Sequence, residues 1–110
     1  MGFIMHHAIV VTSQMDELIE AAHSVATSGG CVVSSIADSP VNGYRSFCVF
    51  PDGSKEGWSP SDDGDARRAA FVKWMRAQSY DDGSNSLSFV EVAYGDERAH
   101  VVCDDEGALP

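Results

Sequence analysis

The chain has 110 residues, 44% of them hydrophobic, which is enough for one domain with its own core and no need for disulfides or metals. Seventeen aspartates and glutamates against seven lysines and arginines give a formal net charge of −10 at pH 7. Binding to nucleic-acid phosphates or anionic membranes needs a surplus of cations, so this charge disfavours DNA, RNA and lipid as direct partners.

The cysteines and the N-terminus predict a cytoplasmic protein. Cys31, Cys48 and Cys103 are odd in number and contain no C-x-x-C pair, which is typical of reduced thiols inside the cell. The first apolar stretch has no basic start and is interrupted by two histidines, so it predicts neither a signal peptide nor a membrane span. Because Met5 could also be a start, residues 1–5 are predicted to be an extension outside the fold.

The first half of the chain predicts a strand, a helix and two more strands. Residues 8–12 are β-branched and apolar on both faces, as in a central strand covered on both sides. Ser13 is the predicted N-cap of a helix that ends at Gly29-Gly30, where glycine allows a left-handed residue. Strands follow at residues 31–37 and 44–50, separated by a turn that contains Asn42-Gly43.

The second half predicts a helix and two strands. Ser59-Pro60 begins a helix that runs to about Gln78, with three aspartates near its start, where the helix dipole favours anions. Strands are predicted at residues 87–94 and 99–103, and residues 104–110 are predicted to be a flexible acidic tail. The order β-α-β-β-α-β-β favours a single α+β domain over residues 1–110. It is typical of a ferredoxin-like split βαβ fold with an added C-terminal strand, two helices on one face and an open opposite face.

No catalytic, cofactor or metal motif is present in the sequence. The serines form no Gly-x-Ser-x-Gly elbow, and the glycines match neither a Walker loop nor a Rossmann fingerprint. His6 and His7 would point to opposite faces of a strand, so only one could join His100 and Cys103 in a metal site. The sequence therefore predicts a protein that is not an enzyme and has no metal or cofactor.

Cations and tryptophans are concentrated in residues 41–78, which contain six of the seven basic residues and both tryptophans. Guanidinium, ammonium and aromatic groups close together can hold a phosphorylated or nucleotide-like ligand. The candidate ligand- or partner-binding residues are Tyr44, Arg45, Lys55, Trp58, Arg67 and Arg68.

The same residues also have a purely structural interpretation. Arg45 would then pair with Asp52 or Glu56, and Trp58 would cover the core. Arg67 and Arg68 would balance the aspartates at residues 62–65, one helical turn away.

Four blocks of sequence resemble a group of short uncharacterised proteins encoded by tailed bacteriophages and prophages. The blocks are Met5-His-His-Ala-Ile-Val-Val-Thr12, Asn42-Gly-Tyr-Arg-Ser-Phe47, Pro51-Asp-Gly-Ser-Lys-Glu-Gly-Trp58 and Phe89-Val-Glu-Val-Ala-Tyr-Gly-Asp96. The resemblance covers residues 5–96 and supplies no functional residue. It implies a bacterial host cytoplasm and a small accessory protein that acts by binding, as host-takeover and counter-defence factors do.

Three functional hypotheses follow. The first is an inhibitor that binds a bacterial host protein, with electrostatics speeding its docking. The second is a small-ligand binder that sequesters a nucleotide-derived signal at a subunit interface. Its site would use Arg45, Lys55 and Trp58 together with Arg67 or Arg68, and Arg45→Ala should abolish binding. The third is an acidic DNA mimic, which is disfavoured because the carboxylates come in short clusters beside glycine and serine, as in turns. A homo-oligomer formed through the edge strand at residues 99–103 is compatible with the first two hypotheses.

Overall fold

The computed structural model describes residues 3–108, which form two α-helices and a six-stranded antiparallel sheet. The helices are α1 (Asp16–Ser28) and α2 (Ser59–Arg76). The strands are β1 (Met5–Ser13), β2 (Ala37–Asp38), β3 (Arg45–Val49), β4 (Ser88–Gly95), β5 (His100–Asp104) and β6 (Gly107–Ala108). The predicted α+β class is confirmed.

The sheet has the strand order β2-β3-β1-β4-β5-β6, so β1 lies near its centre and pairs with β3 on one side and β4 on the other. Val11 of β1 stands opposite Phe47 of β3 and Phe89 of β4, which aligns three apolar side chains across the sheet. The register between β4 and β5 shifts between Glu91 and Val92, as at a β-bulge. This irregularity lies beside the cleft described below.

Both helices cover the same face of the sheet, and the core lies between them and that face. Alternate residues of β1 point into the core, so Ile9 and Val11 are fully buried whereas Val10 is 41% exposed. The prediction that β1 is covered on both faces is therefore wrong. The core is built from Ile9, Val11, Phe47, Val49 and Phe89 of the sheet, packed against Ile19, Ala22 and Ala26 of α1 and Phe71, Val72 and Met75 of α2.

The opposite side of the sheet, called here the open face, carries no helix. Its residues, taken from the strand alternation and register, are His6, Ala8, Val10, Thr12, Ala37, Ser46, Cys48, Ser88, Val90, Val92, Tyr94, Val101 and Asp104. Strand β3 alternates in the same way, because Phe47 is buried on the helix side while Cys48 lies on the open face.

The predicted strand at residues 31–37 is mostly absent, and only Ala37 and Asp38 form β2. Ser34 explains the interruption. Its carbonyl oxygen lies 2.8 Å from Nε2 of His23 in α1, and its hydroxyl oxygen accepts a hydrogen bond from the backbone N–H of Cys48. The Ser34 side chain thus accepts a hydrogen bond that a backbone carbonyl would accept in a regular strand. Of the ladder in this segment, only the isolated bridge between Val33 and Val49 remains.

Helix α1 begins later than the sequence predicts. The hydroxyl of Ser13 accepts a hydrogen bond from the N–H of Met15, two residues on, so Ser13 ends β1 and Met15 is the N-cap residue. The predicted end is confirmed: Gly30 has φ +89°, and the N–H of Cys31 returns to the carbonyl of Ala26. No described helix combines the length and the apolar character that a membrane crossing requires.

The chain ends also differ from their predictions. Ile4 belongs to the fold, since its N–H donates to the Asp96 carboxylate and its carbonyl accepts from the Asp96 N–H. A Cβ added at Gly95 would stand 2.5 Å from that carbonyl oxygen, so glycine is required there. At the other end, the predicted flexible tail turns at residues 105–106 and pairs as β6. Residues 1–2 and 109–110 lie outside the described residues.

Candidate functional site

A cleft of about 550 Å³ opens between α2 and the strands β1, β4 and β5. It is lined by His7, Asp65, Arg68, Ala69, Val72, Lys73, Arg76, Glu91, Val102 and Cys103. A concave, partly apolar volume with a few converging polar groups is the usual form of a small-molecule site.

Glu91 lies at the centre of the polar groups in this cleft. It stands on the helix side of β4, opposite Ile9 of β1 and Cys103 of β5, and only 7% of it is exposed. One carboxylate oxygen, Oε2, lies 3.1 Å from His7 Nδ1 and 3.5 Å from Arg68 Nε. The other, Oε1, faces the Cys103 thiol at 3.9 Å. A buried carboxylate is thus compensated by a guanidinium and an imidazole.

Arg68 extends from the middle of α2 into the same network. It is 8% exposed and donates through Nη2 to the Asp65 carboxylate, one helical turn earlier. Its Nε is buried and forms no hydrogen bond within residues 3–108, although the Glu91 carboxylate lies close to it. Arg68 therefore keeps one buried donor that is not fully satisfied.

Two further cations stand at the wall of the cleft, in the last turn of α2. Arg76 donates through Nη2 to the backbone carbonyl of Asp104, while its Nε is buried without a hydrogen-bond partner among the described residues. Lys73 forms no ion pair within residues 3–108. Lys73, Arg76 and Arg68 give the lining three positive charges, and Asp65 and Glu91 give it two negative charges. With His7 counted as neutral, the lining has a net charge of +1, whereas the whole chain has −10.

The thiol in the cleft is not placed as a nucleophile. Burial, together with the nearby Glu91 carboxylate, raises the pKa of Cys103, so this thiol stays protonated at neutral pH. Glu91 stands between Cys103 and His7, whereas a Cys–His couple needs the imidazole beside the sulfur. The arrangement suits binding better than acyl transfer.

Of the residues predicted as a site, Arg68 alone lines this cleft. Arg45 lies opposite Ser13 at the far end of β1, where it pairs with Glu20 and Asp38 at 3.0 Å each and with Asp16 at 3.8 Å. The hydrogen bond to Glu20, with further support from Asp38, raises the pKa of Arg45. The prediction that Arg45 pairs with Asp52 or Glu56 is therefore wrong. The charge of Arg45 is already compensated by three other carboxylates.

Lys55, Trp58 and Arg67 lie near the opposite end of β1, where the neighbouring Glu56 bonds to Phe3. A nine-residue strand spans about 27 Å, so this end is well separated from Arg45. The Lys55 ammonium stands 5.0 Å from the Trp58 ring centroid, and Trp58 and Arg67 line a surface groove of about 340 Å³. Trp58 is 50% exposed, which contradicts the interpretation that it covers the core.

Tyr44 lies with Arg45 in a shallow depression beside Asp16 and Asp38 and is 40% exposed. The six predicted residues are thus divided among three places and do not form one site, although Arg67 and Arg68 also line a small depression together with Asp52. The prediction that Arg68 balances the nearby aspartates is confirmed for Asp65.

Sequence reasoning missed His7, Lys73, Arg76 and Glu91 as cleft residues. The signal for Glu91 was its alternation with Phe89 and Ala93, which places a carboxylate at a core position of β4. A carboxylate on the apolar face of a strand needs a buried cationic partner. The arginines of α2 are the residues that this requirement indicates.

The remaining histidines and carboxylates do not build a second polar centre. As predicted, His6 and His7 point to opposite faces, with the His6 ring 5.3 Å from Tyr94. No group of three or more metal-binding side chains occurs in the described part of the chain. Asp82 and Asp104 accept hydrogen bonds from the N–H groups two residues on, at Ser84 and Glu106, as in turns.

No protein-family model matches the chain, and the curated proteins contain no match to it either.

Proposed function

We propose that this protein binds a small organic anion in the cleft between α2 and β4–β5. The observation that carries the proposal is the concentration of three of the seven cations, Arg68, Lys73 and Arg76, around one apolar-walled cleft of an acidic chain. The carboxylates on the rest of the surface repel anions. An anion is therefore attracted to the cleft, where the local charge is positive.

The walls indicate the chemistry of the ligand. Ala69, Val72 and Val102 offer apolar surface, and the one aromatic ring among the described lining residues, His7, is held at its edge by the Glu91 carboxylate. A carboxylate or phosphate monoester on a compact apolar body fits this lining better than a nucleotide. The tryptophan and lysine that a nucleotide-derived signal would use lie in the separate groove near Trp58.

The first test is native mass spectrometry of protein purified gently from bacterial cytosol, compared with the same sample denatured. A bound mass of a few hundred daltons would name the compound. In parallel, octanoate, phenyl phosphate and inorganic phosphate serve as defined probes in calorimetric titration. We expect octanoate or phenyl phosphate to bind more tightly than inorganic phosphate, because only they fill the apolar part of the cleft.

Lys73→Gln is the variant for these titrations. Lys73 forms no ion pair among the described residues, so its loss should leave stability within about 0.5 kcal/mol. Binding of the organic anion should weaken roughly tenfold, equivalent to about 1.4 kcal/mol. Arg98→Gln, in the exposed turn between β4 and β5, is the matched control and should not change binding. Equal binding by all three proteins, or by none, would refute the proposal.

A second candidate function is inhibition of a bacterial host protein through the loop at Trp58. An exposed tryptophan with a lysine over its ring is typical of an interface anchor. Capture of one specific host protein by the wild type and by Lys73→Gln, but not by Trp58→Ala, would support it. Loss of capture with Lys73→Gln alone would assign the partner to the cleft instead.

We also propose the phage-type, host-cytoplasmic setting, and a ferredoxin-like topology with an extension. The order β2-β3-β1-β4 supports the topology, since β3 lies between the two strands that α1 connects and β4 flanks β1. Strands β5 and β6 are then an addition at one edge, and Val102 and Cys103 of β5 form the outer wall of the cleft.

A further inference from the structure

The charged groups of the cleft are separated along its length. Asp65 lies in the first half of α2, whereas Lys73 and Arg76 lie in its last turn. Lys73 follows Asp65 by eight residues, which corresponds to about 12 Å along the helix axis. The cleft therefore has one end beside Asp65 and another beside Lys73 and Arg76, which is called here the cationic end.

The sheet wall of the cleft shows the same separation. At the cationic end, Arg76 donates to the carbonyl of Asp104, which pairs with Val90 of β4. His7 pairs with Ala93 of β4, three residues further along that strand, or roughly 10 Å away. A ligand that reaches both ends therefore has to be an extended molecule.

Contacts join the polar groups at the Asp65 end into one cluster, called here the acidic end. Arg68 donates to the Asp65 carboxylate, and its Nε lies 3.5 Å from Oε2 of Glu91. The same Glu91 oxygen lies 3.1 Å from Nδ1 of His7. With His7 counted as neutral, two carboxylates and one guanidinium give this end a charge of −1, whereas the two cations of the cationic end give +2. The cleft is thus dipolar.

Asp65 is the carboxylate of the acidic end that water reaches. Its side chain is 56% exposed, against 9% for Glu91. The Glu91 oxygens already face Arg68, His7 and the Cys103 thiol. A ligand that lies along the cleft displaces water from Asp65, and a carboxylate that loses water without gaining a donor is destabilised.

The wall between the two ends is apolar. Ala69 and Val72 lie between Asp65 and Lys73 on α2, and Val102 lines the cleft from β5. An apolar chain that joins the two polar groups of a ligand would be covered by this wall.

We propose that the ligand of this cleft is an organic anion whose far end carries a hydrogen-bond donor, as in an ω-amino or ω-hydroxy carboxylate. The inference rests on the proposed function and narrows its ligand class. The anionic group binds at the cationic end, the chain packs on the apolar wall and the donor bonds to Asp65. An ammonium gains more than a hydroxyl, because a hydrogen bond between two charged groups is the stronger one.

Calorimetric titration with four eight-carbon chains tests the far end of the ligand. Octanoate, 8-hydroxyoctanoate, 8-aminooctanoate and octanedioate present a methyl, a hydroxyl, an ammonium and a second carboxylate there. We expect 8-aminooctanoate to bind roughly tenfold more tightly than octanoate, and 8-hydroxyoctanoate to gain a smaller factor. Octanedioate should gain nothing over octanoate, because Asp65 repels its second carboxylate.

Asp65→Asn tests whether this carboxylate receives the donor. The amide keeps an oxygen that can accept from Arg68 and removes the charge, so the fold should be retained. The advantage of 8-aminooctanoate should fall severalfold, whereas the affinity for octanoate should not fall. Asp63→Asn, the same substitution at an exposed aspartate that lines the groove near Trp58 instead, is the matched control and should change neither affinity.

The outcomes separate this inference from the function on which it rests. Equal affinities for octanoate and 8-aminooctanoate, both weakened by Lys73→Gln, would overturn the inference and leave the proposed function standing. An advantage of 8-aminooctanoate that persists in Asp65→Asn would also overturn it, because the donor would then have another partner. Absence of binding by all four chains would refute the proposed function, and the inference with it.

Discussion

Arg45 and Arg68 are both surrounded by carboxylates, yet their environments differ. The Arg45 side chain is 25% exposed and its partners Asp16, Glu20 and Asp38 are 60–80% exposed, so water and salt screen the whole cluster. The Arg68 side chain is 10% exposed and faces the Glu91 side chain, which is 9% exposed. Similar residue types thus make a solvated surface network in one place and the polar wall of a cavity in the other.

The difference teaches that burial, rather than the density of cations in the sequence, separates a binding wall from a surface ion pair. At the surface, a guanidinium that already has three carboxylates offers little to an incoming anion. In the cleft, neighbouring Lys73 and Arg76 add positive charge that the lining carboxylates do not cancel. Three experiments separate the two environments.

The largest expected effect is on stability. Arg68→Met should lower the free energy of unfolding by about 3–5 kcal/mol, because it leaves the buried Glu91 carboxylate with His7 as its main partner. Arg45→Met should lower it far less, because water and salt screen exposed ion pairs. Urea unfolding followed by circular dichroism measures both.

The double variant Arg68→Met with Glu91→Leu is the control for this difference. It removes both buried charges, so most of the lost stability should return. Equal losses for Arg68→Met and Arg45→Met would show that the two arginines are equivalent, contrary to the structure.

A smaller effect on stability is expected at alkaline pH from the cleft side of the molecule. The pKa of Cys103 is raised above its ordinary value of 9.0 by burial and by Glu91, so the folded state holds this proton more tightly than the unfolded state. The contribution to stability is complete below pH 9 and declines as the pH rises towards the folded pKa. Urea unfolding at a series of pH values should show this decline.

Cys103→Ala should flatten the alkaline decline relative to the wild type, even though the smaller side chain lowers stability at all pH values. Cys31, whose pKa burial also raises, remains in both proteins and cancels from the comparison. An unchanged slope would mean that the pKa of Cys103 is not raised in the folded protein, contrary to its burial beside Glu91.

Much of the fold could be predicted because local patterns determined it. The end of α1 at Gly29-Gly30, the Ser59-Pro60 entry to α2 and the strand predicted at residues 44–50 each agree with the structure. The strand at residues 31–37 could not be predicted correctly, because its interruption depends on His23 and Cys48, which reach Ser34 from other elements. Such tertiary hydrogen bonds override a β-propensity that is itself adequate.

The site was harder to predict than the fold. Six cations within residues 41–78 suggested one cluster, but the chain passes from one end of β1 to the other between Arg45 and Trp58. The cleft also takes His7 from β1 and Glu91 from β4, which lie 84 residues apart in sequence. Proximity in sequence therefore grouped Arg45 with Lys55 and Trp58, which the fold separates. It missed His7 and Glu91, which the sheet brings together.

The smallest expected effect concerns ligand binding at Arg45. The sequence hypothesis predicts that Arg45→Ala abolishes binding, whereas the structure predicts no change for octanoate or phenyl phosphate. Arg45 lies outside the cleft, and an anion beside it would meet three carboxylates around one guanidinium. Calorimetric titration of Arg45→Ala beside Lys73→Gln distinguishes these predictions. Loss of binding in Arg45→Ala, with binding retained in Lys73→Gln, would place the ligand at the exposed end of β3. The ligand would then depend on the solvated Arg45 guanidinium and not on the cations of the cleft.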